Sequence, residues 1–423
     1  MFSLTGPVST SAHPHWLRTV QIVSLTQVAI LIGFNFSFPF LPLFIQELGV
    51  HDRAELALWT GISVGSGGIA MALISPIWGL LADRLGRKAM LVRSVAAGSI
   101  VLAIQAAASS VWQLVAVRVL QGAFTGTQTA GAMLLAGVVP TQRTGFALGL
   151  LNTAVQVGNL IGPVLGGFVV VAIGLRSSFI VGGALLAVCA VVTVLLVEDA
   201  PRPARESLPT GSGEIVRDLF RPFAWPGLRG VLIVSGVLQI VSSGTAAMLA
   251  IYVQDLARPE WLSTELAVGL SLTLGALAAA ATMPWLGVWA DRNDPRTLLV
   301  ASLGILAISL VPQVLFPTAL VFLPLRLGVG LGLAGATSAI SVLTRMGAPV
   351  GAEGRAFGTL AAVQNMGWGV GPLVGSAIAA FAGVGVLYLA GAVVLFGLLV
   401  AAGLSRSWFA APALESDGGL VTT

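Results

Sequence analysis

Charge is scarce in this sequence. Only 9% of its 423 residues are Asp, Glu, Lys or Arg, and a single one, Lys88, is a lysine. A soluble domain carries roughly 25% charged residues. A chain of this length with 56% hydrophobic residues also exceeds what a soluble core can hide, because burial is limited by surface-to-volume scaling. The shortage excludes a water-soluble globular domain and leaves lipid as the solvent. Cysteine is nearly absent as well: Cys189, alone in an apolar run, excludes a disulfide framework and a cysteine metal site. The three histidines, His13, His15 and His51, lie outside the apolar runs and share no ligand spacing, so no metal is expected. The runs hold no P-loop, no nucleophile–base pair and no His/Cys/Asp cluster, which argues against an enzyme; no catalytic residue and no cofactor is expected. The stretch before Trp16 is polar, without a short apolar core and cleavage site, so the first span is expected to insert itself. Acids are missing from one place above all. Each of the 17 falls at the end of an apolar run or in a loop, and none in the middle of a run.

What the chain has in abundance is apolar length. Windows near 17–46, 58–82, 89–109, 111–137, 145–172 and 177–197 are followed by six more near 229–254, 266–290, 297–316, 318–344, 354–381 and 384–405. Each suffices for a helix crossing a hydrocarbon core, which takes about 20 residues. The polar stretch 198–228 with its five prolines separates the two sets. The expected organisation is therefore an N-terminal six-helix bundle (1–197), a cytoplasmic linker (198–228) and a C-terminal bundle (229–423), all α. A basic balance of +4 can signal nucleic acid, but here the bases report orientation. With both termini inside, sixteen of the 21 Lys and Arg fall on the inner side, three (Arg53, Arg176, Arg258) on the outer side, and Arg118 and Arg326 within spans. Basic loops face the cytoplasm. The two sets are also copies of one another. PIWGLLADR (76–84) returns as PWLGVWADR (284–292), Gln46-Glu47-Leu48 as Gln254-Asp255-Leu256, and Arg118…Gly122 as Arg326…Gly330, all 208 residues on; residues 145–167 return one place later, at 354–376. Parallel repeats of this kind enclose a central cavity between the halves.

Three strings carry more than topology. GLLADRLGRKAML runs from Gly79 to Leu91. Gly79 permits close helix approach, Gly86 suits a tight turn, Arg84, Arg87 and Lys88 hold the loop in the cytoplasm, and Asp83 is placed to accept from a helix N-terminus. The string resembles the signature loop of the major facilitator superfamily, which implies that these residues lock a cytoplasmic gate; its echo at Asp291 and Arg292 departs afterwards into Asn293-Asp294-Pro295. In RVLQGAFTG (118–126) an arginine inside the span either snorkels outward or faces protein or water with a partner. This string is similar to the family's fourth-span motif, which implies a part for Arg118, and for its mate Arg326, in proton transfer; two buried arginines also suit an anionic substrate. In GNLIGPVLGG, Gly158, Gly162 and Gly166 make a helical stripe for close packing, followed by Gly167, and Pro163 removes a backbone bond. It is similar to the family motif that marks antiporters. Resemblance extends over essentially the whole chain and is nearest the twelve-span multidrug exporters of the drug:proton antiporter group.

The expected function is secondary active efflux of apolar or amphipathic small molecules by alternating access, driven by a proton gradient; the alternative is a dedicated exporter of an anionic metabolite or amphipathic lipid. Polar and aromatic positions at mid-membrane, Asn35, Phe38, Gln121, Gln128, Asn152, Gln156, Gln239, Asn365 and Trp368, are the cavity candidates. With no acid in mid-span, Glu47 and Asp255 at equivalent outer helix ends are the candidates for proton exchange, together with Arg118 and Arg326. The expected partners are a small-molecule substrate and the bilayer of the plasma (inner) membrane, not nucleic acid, and the chain is expected to act as a monomer with both termini in the cytoplasm.

Overall fold

The computed structural model describes residues 16–140, 143–199, 221–349 and 352–404. The first set of windows becomes α1 (Trp16–Asn35), a 3-10 turn (Phe38–Phe40) and α2 (Leu41–Glu47), then α3 (Arg53–Leu85), α4 (Arg87–Ala106), α5 (Val111–Phe124), α6 (Thr127–Val138), α7 (Thr144–Ile173) and α8 (Leu175–Leu196). The second set becomes α9 (Pro226–Ala247), α10 (Leu249–Gln254), α11 (Thr264–Arg292), α12 (Pro295–Leu315), α13 (Ala319–Gly347), α14 (Glu353–Ala382) and α15 (Val384–Leu404). These fifteen helices make twelve crossings of an all-α membrane fold in two halves. Ten segments are long and apolar enough to cross a bilayer by length and composition. The other two are α5–α6, whose pieces are short because the span is broken, and the polar-dotted α14. Residues 200–220 of the expected linker lie outside the described residues; after them Arg221–Ala224 form a 3-10 turn that leads into α9.

Three windows read as single helices are in fact broken. The first span stops at Asn35 and resumes at Leu41, with Pro39 and Pro42 taking the N-terminal positions of the 3-10 turn and of α2, where a missing N–H leaves no bond unmade. The fourth span breaks at Gly126, whose φ of +127° lies in a region that side chains rarely adopt. Its repeat mate is Ala334, and there α13 runs on unbroken. The seventh span breaks at Met248, between α9 and α10. A few helix starts are set by polar side chains. Ser110 caps α5 and Ser263 caps α11, each accepting from the backbone N–H three residues on.

The repeat is visible in the packing. In the first half, α7 lays Gly158, Gly162 and Gly166 against α1, where an added Cβ would meet Leu31, Asn35 and Phe36. In the second half, α14 lays Gly367, Gly371 and Gly375 against α9 at Gln239, Ser243 and Gly244. The halves then meet along two seams. On α3–α14, a Cβ on Gly65 would stand 2.8 Å from the Gly369 carbonyl oxygen. On α7–α11, a Cβ on Gly269 would stand 2.6 Å from that of Pro163, and the Thr273 hydroxyl donates to the Leu160 carbonyl at 2.9 Å. Without a hydrophobic drive between helices in lipid, small residues at such seams allow the backbone contact that holds them together. One end of the bundle carries the α3–α4 and α11–α12 turns and the start of α1 and is rich in arginine; it is called the basic end below, and the other the far end.

Candidate functional site

At the basic end a cavity of about 680 Å³ opens between α1, α3, α4, the α5–α6 break and, from the other half, α14. Four of the chain's eight methionines, Met71, Met90, Met133 and Met366, line it together with Leu31, Phe34 and Trp78. An unbranched thioether adapts to irregular apolar shapes, so such a wall can accommodate more than one ligand outline. Polar anchors are sparse and neutral, among them Gln27, Thr127, Gln128 and Asn365, apart from two cations, Arg87 and Arg93. Among the described residues no carboxylate lines the cavity.

The two cations are held differently. The Arg93 guanidinium lies 3.4 Å from the centroid of the Trp78 ring, where the ring quadrupole attracts it. Trp78 is fixed in turn by its indole N–H, which donates to the Ala123 carbonyl at 2.6 Å. Arg87 donates from Nη1 to the Met133 carbonyl at 3.1 Å. Arg93 Nε and Nη1 and Arg87 Nε find no acceptor among the described residues.

Gly86, with φ +100°, makes the α3–α4 turn that positions them. The Lys88 backbone N–H donates to Asp199 at 3.0 Å and its ammonium to the Val194 carbonyl at 2.8 Å, so the turn is tied to the end of α8. The side chains of Gly79, Asp83 and Arg84 lie outside the described residues. In the second copy the departure has a structural reason. Asp294 stands where Gly86 stands, and it caps α12 through its side chain, which accepts from the Arg296 N–H at 3.0 Å, with Pro295 in the first turn. A cap replaces the glycine turn. Asp291 pairs with Arg345 of α13 at 2.8 Å, and Arg292 is exposed.

The fourth-span arginine and its repeat mate in the tenth span do not snorkel. Arg118 is 4% exposed and Arg326 8%, and both ride on a backbone contact no side chain would permit. A Cβ on Gly122 would collide with the Gly67 carbonyl, and one on Gly330 with that of Gly275. Arg118 donates from Nη1 to Gln121 Oε1, which also accepts from Gln105 at 3.0 Å, and the Phe38 ring centroid lies 4.9 Å from its guanidinium. Arg326 donates from Nε to the Ser271 carbonyl at 3.4 Å. Neither has a carboxylate partner among the described residues.

The nine cavity candidates divide. Gln128 and Asn365 line the cavity, and Gln128 also donates to Asn152 at 3.2 Å. Gln156 and Trp368 are exposed on α7 and α14. Asn35, Phe38, Gln121 and Gln239 are placed in helix-to-helix contacts rather than in the cavity wall: Asn35 donates to Asn159 at 3.1 Å, Gln239 packs beneath Gly367, and the other two serve Arg118. The glycine motif is divided too. Gly158, Gly162 and Gly166 face α1, whereas Gly167 and Pro163 meet Glu265 and Gly269 of the opposite half. Trp78, Arg93 and the methionines escaped the sequence reading because nothing in an apolar run says which face will meet a cavity.

The far end is shut. Gln46 and Gln254, repeat mates, exchange two amide hydrogen bonds at 3.0 and 2.8 Å across the approximate two-fold axis. Beside them Arg53 of one half pairs with Asp255 of the other at 2.6 Å and donates to Gln254 at 3.3 Å. Glu47, the mate of Asp255, instead pairs with Arg176 of its own half at 3.9 Å. The two candidate acids thus differ in role: one bridges the halves, the other does not.

A family model described as Major Facilitator Superfamily matches residues 23–258 and, overlapping, 231–417. The multidrug resistance protein MdtG of Proteus mirabilis (strain HI4320) is 30% identical over 385 residues, 91% of this chain and 95% of that relative. MdtG of Escherichia fergusonii is 32% identical over 391 residues, 91% of this chain and 94% of the relative. Among solved structures, a bacterial homolog of the human lysosomal transporter Spinster, crystallised inward-facing and occupied, has a TM-score of 0.76 at 17% identity over 93% of this chain and 97% of that one, which shows a shared fold.

Proposed function

The chain belongs to the major facilitator superfamily, and from that premise we propose that it exports apolar or amphipathic small molecules by proton antiport from the inner membrane. The observation that carries the reading is the methionine-walled cavity at the basic end, with the far end shut by bonds between the halves. Positive-inside bias makes the basic end cytoplasmic, so the cavity loads from the cytoplasm or inner leaflet. The relatives named multidrug resistance proteins support a broad substrate range. Arg87 and Arg93, with no carboxylate in the wall among the described residues, favour neutral and acidic amphiphiles over cations; this same observation supports the second reading, a dedicated exporter of an anionic metabolite or lipid.

For coupling, we assign Asp255. Protonation from outside would neutralise its ion pair with Arg53 and weaken the closure at the far end, so proton entry and opening of the exit become one event. The test is a drug-susceptibility panel in cells stripped of their own pumps, with and without a protonophore. Broad resistance abolished by the protonophore supports multidrug antiport; resistance confined to one acidic compound selects the second reading; no change in any susceptibility refutes both.

A further inference from the structure

Arg118 is the most tightly enclosed charge among the described residues, and its surroundings do not neutralise it. Its Nε and Nη2 are fully buried and without an acceptor among the described residues. A guanidinium does not lose its proton in a protein, and a buried charge without a counter-charge is expensive enough that it is ordinarily paired. Among the described residues no acid stands at that depth, since the acids lie at helix ends or between helices.

The neighbourhood supplies donors instead. Thr60, Ser63 and Gly67 share one face of α3, at i, i+3 and i+7. Gly67 fixes where that face points, because a Cβ there would stand 3.1 Å from the Arg118 carbonyl oxygen. Spans two and four run in the same direction, and a helical side chain leans toward the N-terminus of its helix, so the Arg118 side chain rises toward the level of Ser63 and Thr60. The hydroxyls of Thr60 and Ser63, both 0% exposed, find no partner among the described residues, and neither does that of Ser37, 1% exposed, beside the Phe38 that lies on Arg118. The second half answers the same geometry otherwise. There Arg326 Nε is bonded to Ser271, the mate of Ser63, while the mates of Thr60 and Gln121 are Val268 and Val329. The Thr245 hydroxyl, mate of Ser37, is bonded to its own helix.

We propose that Arg118, with Thr60 and Ser63, binds a small monovalent anion of chloride size, one per chain, as the fixed counter-charge of the first half. The proposal is independent of what the protein transports. The probe is chloride itself, applied to the purified full chain in nanodiscs without any transport substrate, with sodium gluconate at equal ionic strength as control. Equilibrium binding of radioactive chloride should saturate near one per protein, and chloride should raise the melting temperature by on the order of a few degrees over gluconate. Arg118→Gln should abolish both effects. Thr60→Val with Ser63→Ala, which keeps the charge and removes two donors, should weaken chloride binding about tenfold or more, and it decides the matter if Arg118→Gln does not fold. Arg326→Gln should leave chloride binding in place. Equal behaviour in chloride and gluconate, as expected if water alone solvates Arg118, would overturn the proposal, as would binding unchanged in the Thr60→Val/Ser63→Ala protein.

Discussion

The closure at the far end rests on few bonds, so its strength can be worked out and tested. Gln254→Ala with Asp255→Ala removes the two amide bonds between Gln46 and Gln254, the Arg53–Gln254 bond and the Arg53–Asp255 ion pair. A net hydrogen bond contributes about 1 kcal/mol. The ion pair contributes less, about 0.2–1 kcal/mol, since both side chains are half exposed. The sum, about 3–4 kcal/mol, corresponds to a roughly 200- to 900-fold shift in the ratio of closed to open far ends. Asp255→Asn alone should shift it no more than about fivefold, and about 1 M salt should mimic that variant by screening the exposed pair. The assay is electron–electron double resonance in nanodiscs between spin labels on His51→Cys and Trp261→Cys, exposed residues on opposite halves. Cys189, the sole native cysteine, is buried and stays unlabelled. The double variant should gain a longer-distance population that the wild type lacks. An unchanged distance distribution would refute the claim that these bonds hold the exit shut.

Three further outcomes follow from the site and the fold. Arg93→Glu puts a carboxylate over Trp78 and reverses one of the two cavity charges, so resistance to acidic amphiphiles should fall several-fold and resistance to cationic ones should rise, read as inhibitory concentrations in a pump-deficient strain. Asp294→Ala removes the cap of α12 and should cost about 1 kcal/mol of stability, seen as a lower melting temperature, with Asp294→Asn close to wild type. Gly122→Val forces side-chain atoms onto the Gly67 backbone and should abolish well-folded protein in fluorescence-detected size exclusion, whereas valine at Gly397, which has no neighbour within 4 Å, should be tolerated.

The architecture was legible because the chain states it twice. The 208-residue offset that aligned Arg118 with Arg326 also aligns Gly67 with Gly275 and Gly122 with Gly330, and these pairs make the same backbone contacts in both halves. The breaks were not legible, because hydropathy is continuous through Thr125 and Gly126 while φ is not. Nor was the cavity wall: Asn35 and Gln128 look alike in sequence, but one closes a helix seam and the other faces the opening, a difference fixed by rotation of packed helices rather than by residue type. Repeat symmetry also misled at one point. Glu47 and Asp255 occupy equivalent positions, yet only Asp255 finds its arginine across the interface, because Arg53 follows the helix end of the first half at the far end while Arg176 reaches Glu47 from within its own half.

The central claim, that an amphipathic substrate enters at the basic end and leaves at the far end against protons, is tested most directly in everted membrane vesicles with an imposed acid interior. The basic end then faces the bath. The account predicts that a lipophilic fluorescent dye accumulates inside only when this protein is present, that a protonophore releases it, and that Asp255→Asn weakens its dependence on the gradient. Accumulation that survives collapse of the gradient would contradict proton antiport, and no accumulation of any neutral or acidic amphiphile would contradict export.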